Sequence, residues 1–299
     1  MDPMQAPSIR ALPPRAPLAR VAAGHDSIAR NLSPLALASD VWRLRNLVWQ
    51  LTRREIEGRY RGSFLGTFWS FLSPLMLLAI YAFVGGVVLR LRWPDSPAGG
   101  LGEFALMLFA GLVAYNVFSE CFSRAPGLIV AVPSYVKKVV FPLEVLPLSV
   151  LGSALFHGLV SLTALLVFTA VRRGGLPWTV LLLPLAVVPL ALLSLGLSWF
   201  LASIGVFFRD LGYAAPLLLQ VAFFATPIMY PVEIVPAQFR VLVRFNPLAW
   251  TVETLRNLIF RGVPPHLWGL AAWTAASAAL MLLGYAWFMK TRKGFADVM

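Results

Sequence analysis

Few side chains in this sequence are of the types that carry out chemistry. Its 299 residues include 13 acidic residues, three histidines and one cysteine, and the closest acidic pair is Glu55 and Glu57. A metal site or an acid–base catalyst needs such groups clustered. The sequence contains no H-E-x-x-H, G-x-S-x-G or G-x-x-x-x-G-K-[ST] motif. It therefore predicts no catalytic residue, no metal ligand and no cofactor on this chain, and the single Cys121 excludes an intrachain disulfide.

The composition points to lipid as the main surroundings of the chain. Hydrophobic residues make up 59% and charged residues only 13%, against about half and a quarter in soluble domains. The net charge of +12 does not indicate nucleic-acid binding, because the basic residues flank apolar segments instead of covering a soluble domain. We predict an all-α integral membrane protein.

Six apolar stretches are long enough to span a bilayer, which takes about 20 residues. They lie near 66–89, 104–123, 145–171, 178–206, 212–231 and 266–289. The Lys and Arg residues in their flanks favour a cytoplasmic location for both termini. His157 is the only ionisable residue well inside a predicted span, and we expect a neutral, hydrogen-bonded packing histidine more than a functional one. Because ion-coupled carriers place charges there, any transport would draw its energy from outside the membrane.

The segment before the first span divides into two parts. Residues 1–38 are rich in Ala, Pro and Arg and read as a disordered cytoplasmic extension. An amphipathic helix follows, with an apolar stripe that includes Val41, Leu44 and Leu51 and with arginines off that stripe. This pattern predicts a helix in the cytoplasmic interface. Trp42 and Trp49 share another face, for anchoring in the interface or for contact with a partner.

Two loops also predict short helices. Residues 133–142, bounded by prolines, fit a cytoplasmic helix of about two turns, or a solvated loop that carries lysines. On the other side, Asn246 is a good N-cap before a helix over about 247–260, in which Glu253 would pair with Arg256 on the polar side. With the apolar stretch 236–245, this suggests paired, partly re-entrant outer helices that could gate an exit.

Aromatic residues in and beside the spans are candidates for stacking on sugar rings in a pore. Most aromatic residues of membrane proteins instead contact lipid, anchor at the interface or pack between helices. The candidates are Trp69, Tyr81, Tyr115, Phe118, Phe122, Phe223, Phe224 and Tyr230.

Three motifs in order resemble a known family. They are Arg59-Tyr-Arg-Gly-Ser-Phe-Leu-Gly-Thr-Phe-Trp69, Lys137-Lys-Val-Val-Phe-Pro-Leu-Glu-Val-Leu-Pro147 and Phe245-Asn-Pro-Leu-Ala-Trp250. Over residues 40–290 the sequence resembles the permease subunit of bacterial polysaccharide ABC exporters, the type-2 permeases that export O-antigen, teichoic acid and related glycans. The resemblance implies that residues 39–299 form a type-2 ABC transporter transmembrane domain.

The resemblance implies a homodimer in the bacterial inner membrane, with a pore between its two copies. Two copies of a separate ATPase would bind ATP and Mg²⁺, and the cargo would be an undecaprenyl-linked glycan. Other cargoes of the same architecture, such as a drug or a lipo-oligosaccharide, and a membrane-embedded glycosyltransferase are the alternatives.

It also implies roles for segments of this chain. The amphipathic helix would be a cytoplasmic gate. Coupling to the ATPase would fall to Tyr135, Val136, Lys137, Lys138, Phe141 and Pro142. Substrate entry would fall to Arg59, Tyr60, Arg61 and Trp69, whose arginines would meet a pyrophosphate. The outer gate would be Asn246, Pro247, Trp250, Glu253 and Arg256.

Overall fold

The computed structural model describes residues 32–60, 68–91, 93, 100–137 and 141–299, and regular structure within these ranges is helical. Four helical segments are long and apolar enough to cross a membrane, and two shorter apolar helices accompany them. The predicted all-α membrane fold is confirmed. In chain order the helices are α1 Pro34–Tyr60, α2 Trp69–Ala82, α3 Leu101–Arg124, α4 Pro133–Lys137, α5 Val145–Arg173, α6 Leu183–Phe207, α7 Leu211–Ala225, α8 Arg240–Arg244, α9 Pro247–Arg256, α10 Leu267–Thr291 and α11 Phe295–Val298.

All six predicted spans coincide with an apolar helix, but α7 is shorter than the predicted 212–231. It ends at Ala225 because Thr226 turns to an extended ψ of 134°. Thr226 precedes Pro227, and a residue before proline is sterically pushed out of the helical region. With 15 residues, α7 is about 22 Å long, less than the roughly 30 Å of a hydrocarbon core.

The bundle is built around α3, which packs against α2, α5, α6, α7 and α9. Residues 106–114 of α3 are all buried. The tightest pairing elsewhere joins α6 and α10, where small residues let two backbones meet. A Cβ added at Gly284 of α10 would lie 2.1 Å from the carbonyl oxygen of Gly196 in α6. No side chain larger than glycine fits there without separating the helices.

The amphipathic helix α1 lies along α5 and buries its apolar stripe. It begins at Pro34, inside the segment expected to be a disordered extension, because Ser33 accepts a hydrogen bond from the Ala36 amide and proline suits the first helical position. Leu37 and Leu44 are buried. Thr52 sits against Gly152 of α5, where a Cβ would be 2.7 Å from the Thr52 Oγ1. Trp42 and Trp49 are exposed.

The bundle has two polar ends. We call proximal the end that carries α1, the C-terminal turn of α3, the start of α5 and residues 292–299. The other end, which carries the start of α3 together with α8 and α9, is distal. The ion pairs between helices that the structure describes join elements at one end or the other.

Candidate functional site

A cavity of about 1100 Å³ opens between α1, α2, α3 and α7. Its wall changes character along the bundle. Toward the distal side it is aromatic and aliphatic, in its middle it carries small polar groups of α3, and at the proximal end it is charged. A cavity with these three zones can hold a ligand that is itself apolar, polar and charged in different parts.

The aromatic part of the wall contains four of the predicted pore residues, Tyr81, Tyr115, Phe223 and Phe224. The Tyr81 ring stacks on Phe223 with a centroid separation of 5.4 Å, and Tyr115 meets the same ring edge-on at 5.1 Å. The Tyr115 hydroxyl donates to the carbonyl of Leu219 at 2.7 Å. These contacts fix the rings in place, as a stacking surface requires.

The other predicted pore aromatics lie away from this wall. Phe118 is buried and pairs with Phe122 at a centroid separation of 5.5 Å. Tyr230 follows α7, and its hydroxyl donates to the carbonyl of Phe224 at 2.7 Å. Phe118 and Phe122 thus belong to the packed core, and Tyr230 contacts the C-terminal end of α7.

A polar stripe of α3 crosses the cavity, and the sequence analysis missed it. Asn116, Ser119 and Ser123 repeat at helical spacing, and Gln220 of α7 adds an amide to the same wall. The spacing was readable in the sequence, but nothing there indicated that this face borders a cavity instead of a neighbouring helix. The stripe offers hydrogen-bond donors and acceptors beside the aromatic rings.

Two crossed ion pairs close the proximal end of the cavity. Arg59 of α1 binds Glu120 of α3 with 2.8 Å between Nη1 and Oε1, and Arg124 of α3 binds Glu55 of α1. In each helix the two residues are four apart and therefore share a face. His157 of α5 joins them, with its Nδ1 at 3.3 Å from Glu120 and 3.1 Å from Arg59. The predicted packing histidine is hydrogen-bonded, but to charged groups.

Two of the predicted entry residues line a smaller cavity of about 180 Å³ beside the large one. Arg59 and Trp69 line it with His157 and Ser161. Arg61 and the side chain of Tyr60 lie outside the described residues. Arg59 thus borders both cavities, and its guanidinium is already bound to a carboxylate.

The predicted coupling segment begins with α4, whose described part is the single turn Pro133–Lys137. Tyr135 stacks on Phe141 with centroids 4.5 Å apart, and both pack against the core together with Val136. Pro142 leads into α5. Lys138 and the side chain of Lys137 lie outside the described residues, so a two-turn helix is not seen.

Glu144 follows this segment at the start of α5 and is buried. Arg292, just before α11, binds its carboxylate at 2.9 Å, and Trp199 of α6 donates to its carbonyl at 3.1 Å. The segment is thereby held to the C-terminal end of the chain.

The predicted outer helices are present at the distal end. Asn246 caps α9 by accepting from the Leu248 amide at 2.9 Å, and its Nδ2 donates to Thr226. Pro247 occupies the first helical position, and Gly262 ends the following turn in the left-handed region. Trp250 lies near Trp273, with ring centroids 6.4 Å apart.

The prediction for Arg256 was wrong in one respect. Its side chain is 0% exposed instead of lying on a polar face. It does approach Glu253, with 3.7 Å between Nη1 and Oε2, but Glu253 binds Arg261 more closely. Arg256 instead donates to backbone carbonyls of Met107, Pro227 and Ile228. Burial lowers the pKa of its guanidinium to about 10, so it remains charged at neutral pH.

Among the described residues, no three His, Cys, Asp or Glu side chains are placed to hold a metal ion. What the arrangement offers is a cavity for an amphiphile, with arginines for an anionic group and aromatic and polar walls for the remainder.

Comparison with known proteins places these features in a family context. The ABC-2 type transporter family matches residues 46–260. The chain is 30% identical over 265 residues to an O-antigen export system permease protein RfbA of Myxococcus xanthus, covering 88% of this chain and 99% of the relative. An RfbA of Klebsiella pneumoniae is 27% identical, with 86% and 96% covered. A polysialic acid transport protein KpsM of Escherichia coli is 26% identical, with 70% and 79% covered.

Proposed function

The chain belongs to the ABC-2 type transporter family, and we propose that it is the membrane subunit of an exporter of lipid-linked polysaccharide, with O-antigen as the cargo. The observation that carries the proposal is the similarity to an O-antigen export permease over 99% of that relative's length. The cavity supports it, because aromatic rings, small polar groups and arginines suit the sugars and the diphosphate of such a cargo.

The energy source in this proposal is a separate ATPase subunit, which binds ATP and Mg²⁺. The lack of a phosphate loop in the sequence supports this division of labour. We propose that two ATPase copies dock at the segment that contains Tyr135 and Phe141. Their stacked rings and the Glu144–Arg292 pair give that segment the stiffness needed to pass motion to α5 and α6. The chain itself has no enzymatic role in this proposal.

We further propose a homodimer in the inner membrane, with both termini cytoplasmic. The cavity lies at the side of the bundle, beside an exposed apolar face of α7 that includes Leu217, Val221 and Phe224. Two copies related by a twofold axis would enclose a continuous pore from two such cavities. The proximal end, with Arg59, would face the cytoplasm, and α9 would lie at the exit.

The proposal is tested by deleting the gene and assaying cell-surface polysaccharide and the lipid-linked glycan inside the cell. Loss of export with accumulation of the lipid-linked glycan is the expected result, because synthesis continues without its exit. Plasmid-borne wild-type protein restores the surface polymer. Normal surface polysaccharide in the deletion strain overturns the proposal. Loss of the lipid-linked glycan itself supports the alternative of a membrane-embedded glycosyltransferase.

A further inference from the structure

Four charged residues form two ion pairs between α1 and α3. Glu55 and Arg59 lie one turn apart on α1, and Glu120 and Arg124 lie one turn apart on α3. Glu precedes Arg by four residues on both helices, and the pairing between the helices is crossed: Arg59 binds Glu120 while Arg124 binds Glu55. We call these four residues the latch. It holds the last turns of α1 against the central helix.

The latch is placed where a ligand in the large cavity would meet it. All four residues line the proximal end of that cavity. The side chains of Arg59 and Arg124 are 51% and 37% exposed, and those of their partners Glu120 and Glu55 are 13% and 30% exposed, so water reaches both ion pairs from the arginine side and screens them. Weak, accessible pairs can exchange one partner for another.

Resting on the proposed function, we propose that the latch is the binding site for the diphosphate of the lipid-linked cargo. Before the cargo binds, the carboxylates of Glu55 and Glu120 occupy the positions that the diphosphate takes. Arg59 and Arg124 are the two residues that bind it. A diphosphate between a lipid and a sugar carries two negative charges, one for each carboxylate that it displaces. Arginine binds carboxylate and phosphate with the same forked geometry, so the exchange keeps charge-assisted hydrogen bonds on both guanidinium groups.

The exchange has a mechanical consequence for α1. Once the diphosphate holds both arginines, neither ion pair joins α1 to α3. The displaced Glu120 keeps a partner, because the Nδ1 of His157 lies 3.3 Å from its Oε2. His157 faces the pair from α5, and Arg59 lies 3.1 Å from the same ring nitrogen. Cargo binding therefore releases the proximal turn of α1, with Glu120 still beside His157 and with Glu55, whose side chain is 30% exposed, solvated by water.

The test uses the purified complex of this chain with its ATPase in lipid nanodiscs, with farnesyl diphosphate as the charged probe and farnesol as its neutral counterpart. Spin labels at Gln50→Cys on α1 and Leu101→Cys at the far end of α3 report the position of α1; both sites are exposed, and the native Cys121 is buried. Farnesyl diphosphate should shift the distance between the labels, and farnesol should not.

Three variants distinguish a specific exchange at the latch from the unspecific effect of a changed charge near the cavity. Glu120→Gln should bind farnesyl diphosphate about five- to tenfold more tightly, because one of the two competing carboxylates is gone. Its distance without ligand should move part of the way toward the ligand-bound value, since Glu55 still binds Arg124. Arg124→Gln should weaken binding by a similar factor. Glu57→Gln is the matched control: this carboxylate lies on the same helix and pairs with Arg53 one turn before it, so binding and distance should equal those of the wild type.

The inference is overturned if farnesyl diphosphate fails to bind, if it binds without moving the labels, or if Glu120→Gln behaves like Glu57→Gln. These outcomes are distinct from failure of the proposed function. If the deletion strain loses surface polysaccharide but the labels on α1 do not move, the proposed exporter function stands and the latch proposal is wrong. If surface polysaccharide is normal but farnesyl diphosphate shifts the distance between the labels, the proposed exporter function is wrong and the anion-binding site stands.

Discussion

Replacing Arg256 by alanine should destabilise the protein strongly. Its guanidinium donates to three backbone carbonyls, of Met107 at 3.1 Å, Pro227 at 2.8 Å and Ile228 at 2.7 Å. The cation also lies 4.6 Å from the ring centre of Trp93. The side chain is completely buried, so water cannot replace it without a rearrangement of α3, α9 and the end of α7.

The magnitude follows from the groups left behind. Each buried carbonyl that loses its donor costs about 1 kcal/mol or more, and removal of the side chain leaves a void that adds to this. The sum is about 4 kcal/mol. For a chain of this size each kcal/mol lowers Tm by about 2–4 °C, so Arg256→Ala should melt on the order of 10 °C below the wild type. Arg256→Lys keeps the charge but loses the planar fork, and should fall about halfway.

The assay is thermal unfolding of the purified protein in detergent, followed by intrinsic tryptophan fluorescence. Arg240→Ala is the control, since Arg240 also donates to two backbone carbonyls, at 2.9 and 2.8 Å, but is exposed. It should change Tm by no more than about 2 °C, because water replaces its hydrogen bonds. If Arg256→Ala melts as close to the wild type as Arg240→Ala does, the burial argument is refuted.

Three further predictions concern positions where local contacts set the expected size. Asn246→Ala removes the α9 cap and should cost about 1 kcal/mol, while Asn246→Asp, which keeps the capping oxygen, should lose less. Gly284→Ala forces α6 and α10 apart and should cost about 2 kcal/mol, whereas Gly175→Ala, with nothing near its Cβ, should be neutral. Arg292→Ala leaves the buried Glu144 unpaired and should cost about 3 kcal/mol, part of which the charge-reversed pair E144R/R292E should restore. Each is read from the same melting curves, and equal Tm values within any of these comparisons would contradict the contact concerned.

Signals carried by neighbouring residues predicted structure well. Apolar runs located all six apolar helices, because length and composition alone decide whether a helix can sit in lipid. The Asn246-Pro247 pair and Gly262 gave the start and end of the outer helix, since a cap acts within one turn. The start of α1 at Pro34 lies inside the segment predicted to be disordered, although Ser33 and Pro34 are the same kind of signal, because the proline-rich composition around them favours disorder.

Long-range pairings could not be predicted from the sequence. Arg256 was assigned to a polar face because Glu253 precedes it by three residues. Its main partners instead come from elsewhere: α7 ends before Pro227, so the carbonyls that follow have no helical donor, and Arg256 supplies one. In the sequence His157 stands out as an ionisable residue inside a predicted span, but nothing there points to Glu120 as its partner. Only the packing of α3 against α5 shows that they face each other.

The charges of the central helix bear on how transport is driven. Glu103 binds Arg173 at the distal end of α3, and Glu120 binds Arg59 at the proximal end. The two glutamates are 17 positions apart, about 26 Å along a helix, close to the roughly 30 Å of a hydrocarbon core. Charges at both ends and none in the buried stretch 106–114 leave no chain of groups to relay a proton or a cation through this helix. Ion pairs join α1 to one end of α3 and Arg173 of α5 to the other. In the exporter that we propose, work delivered by the ATPase at the proximal end would therefore need only to move α1 and α4 relative to a fixed α3.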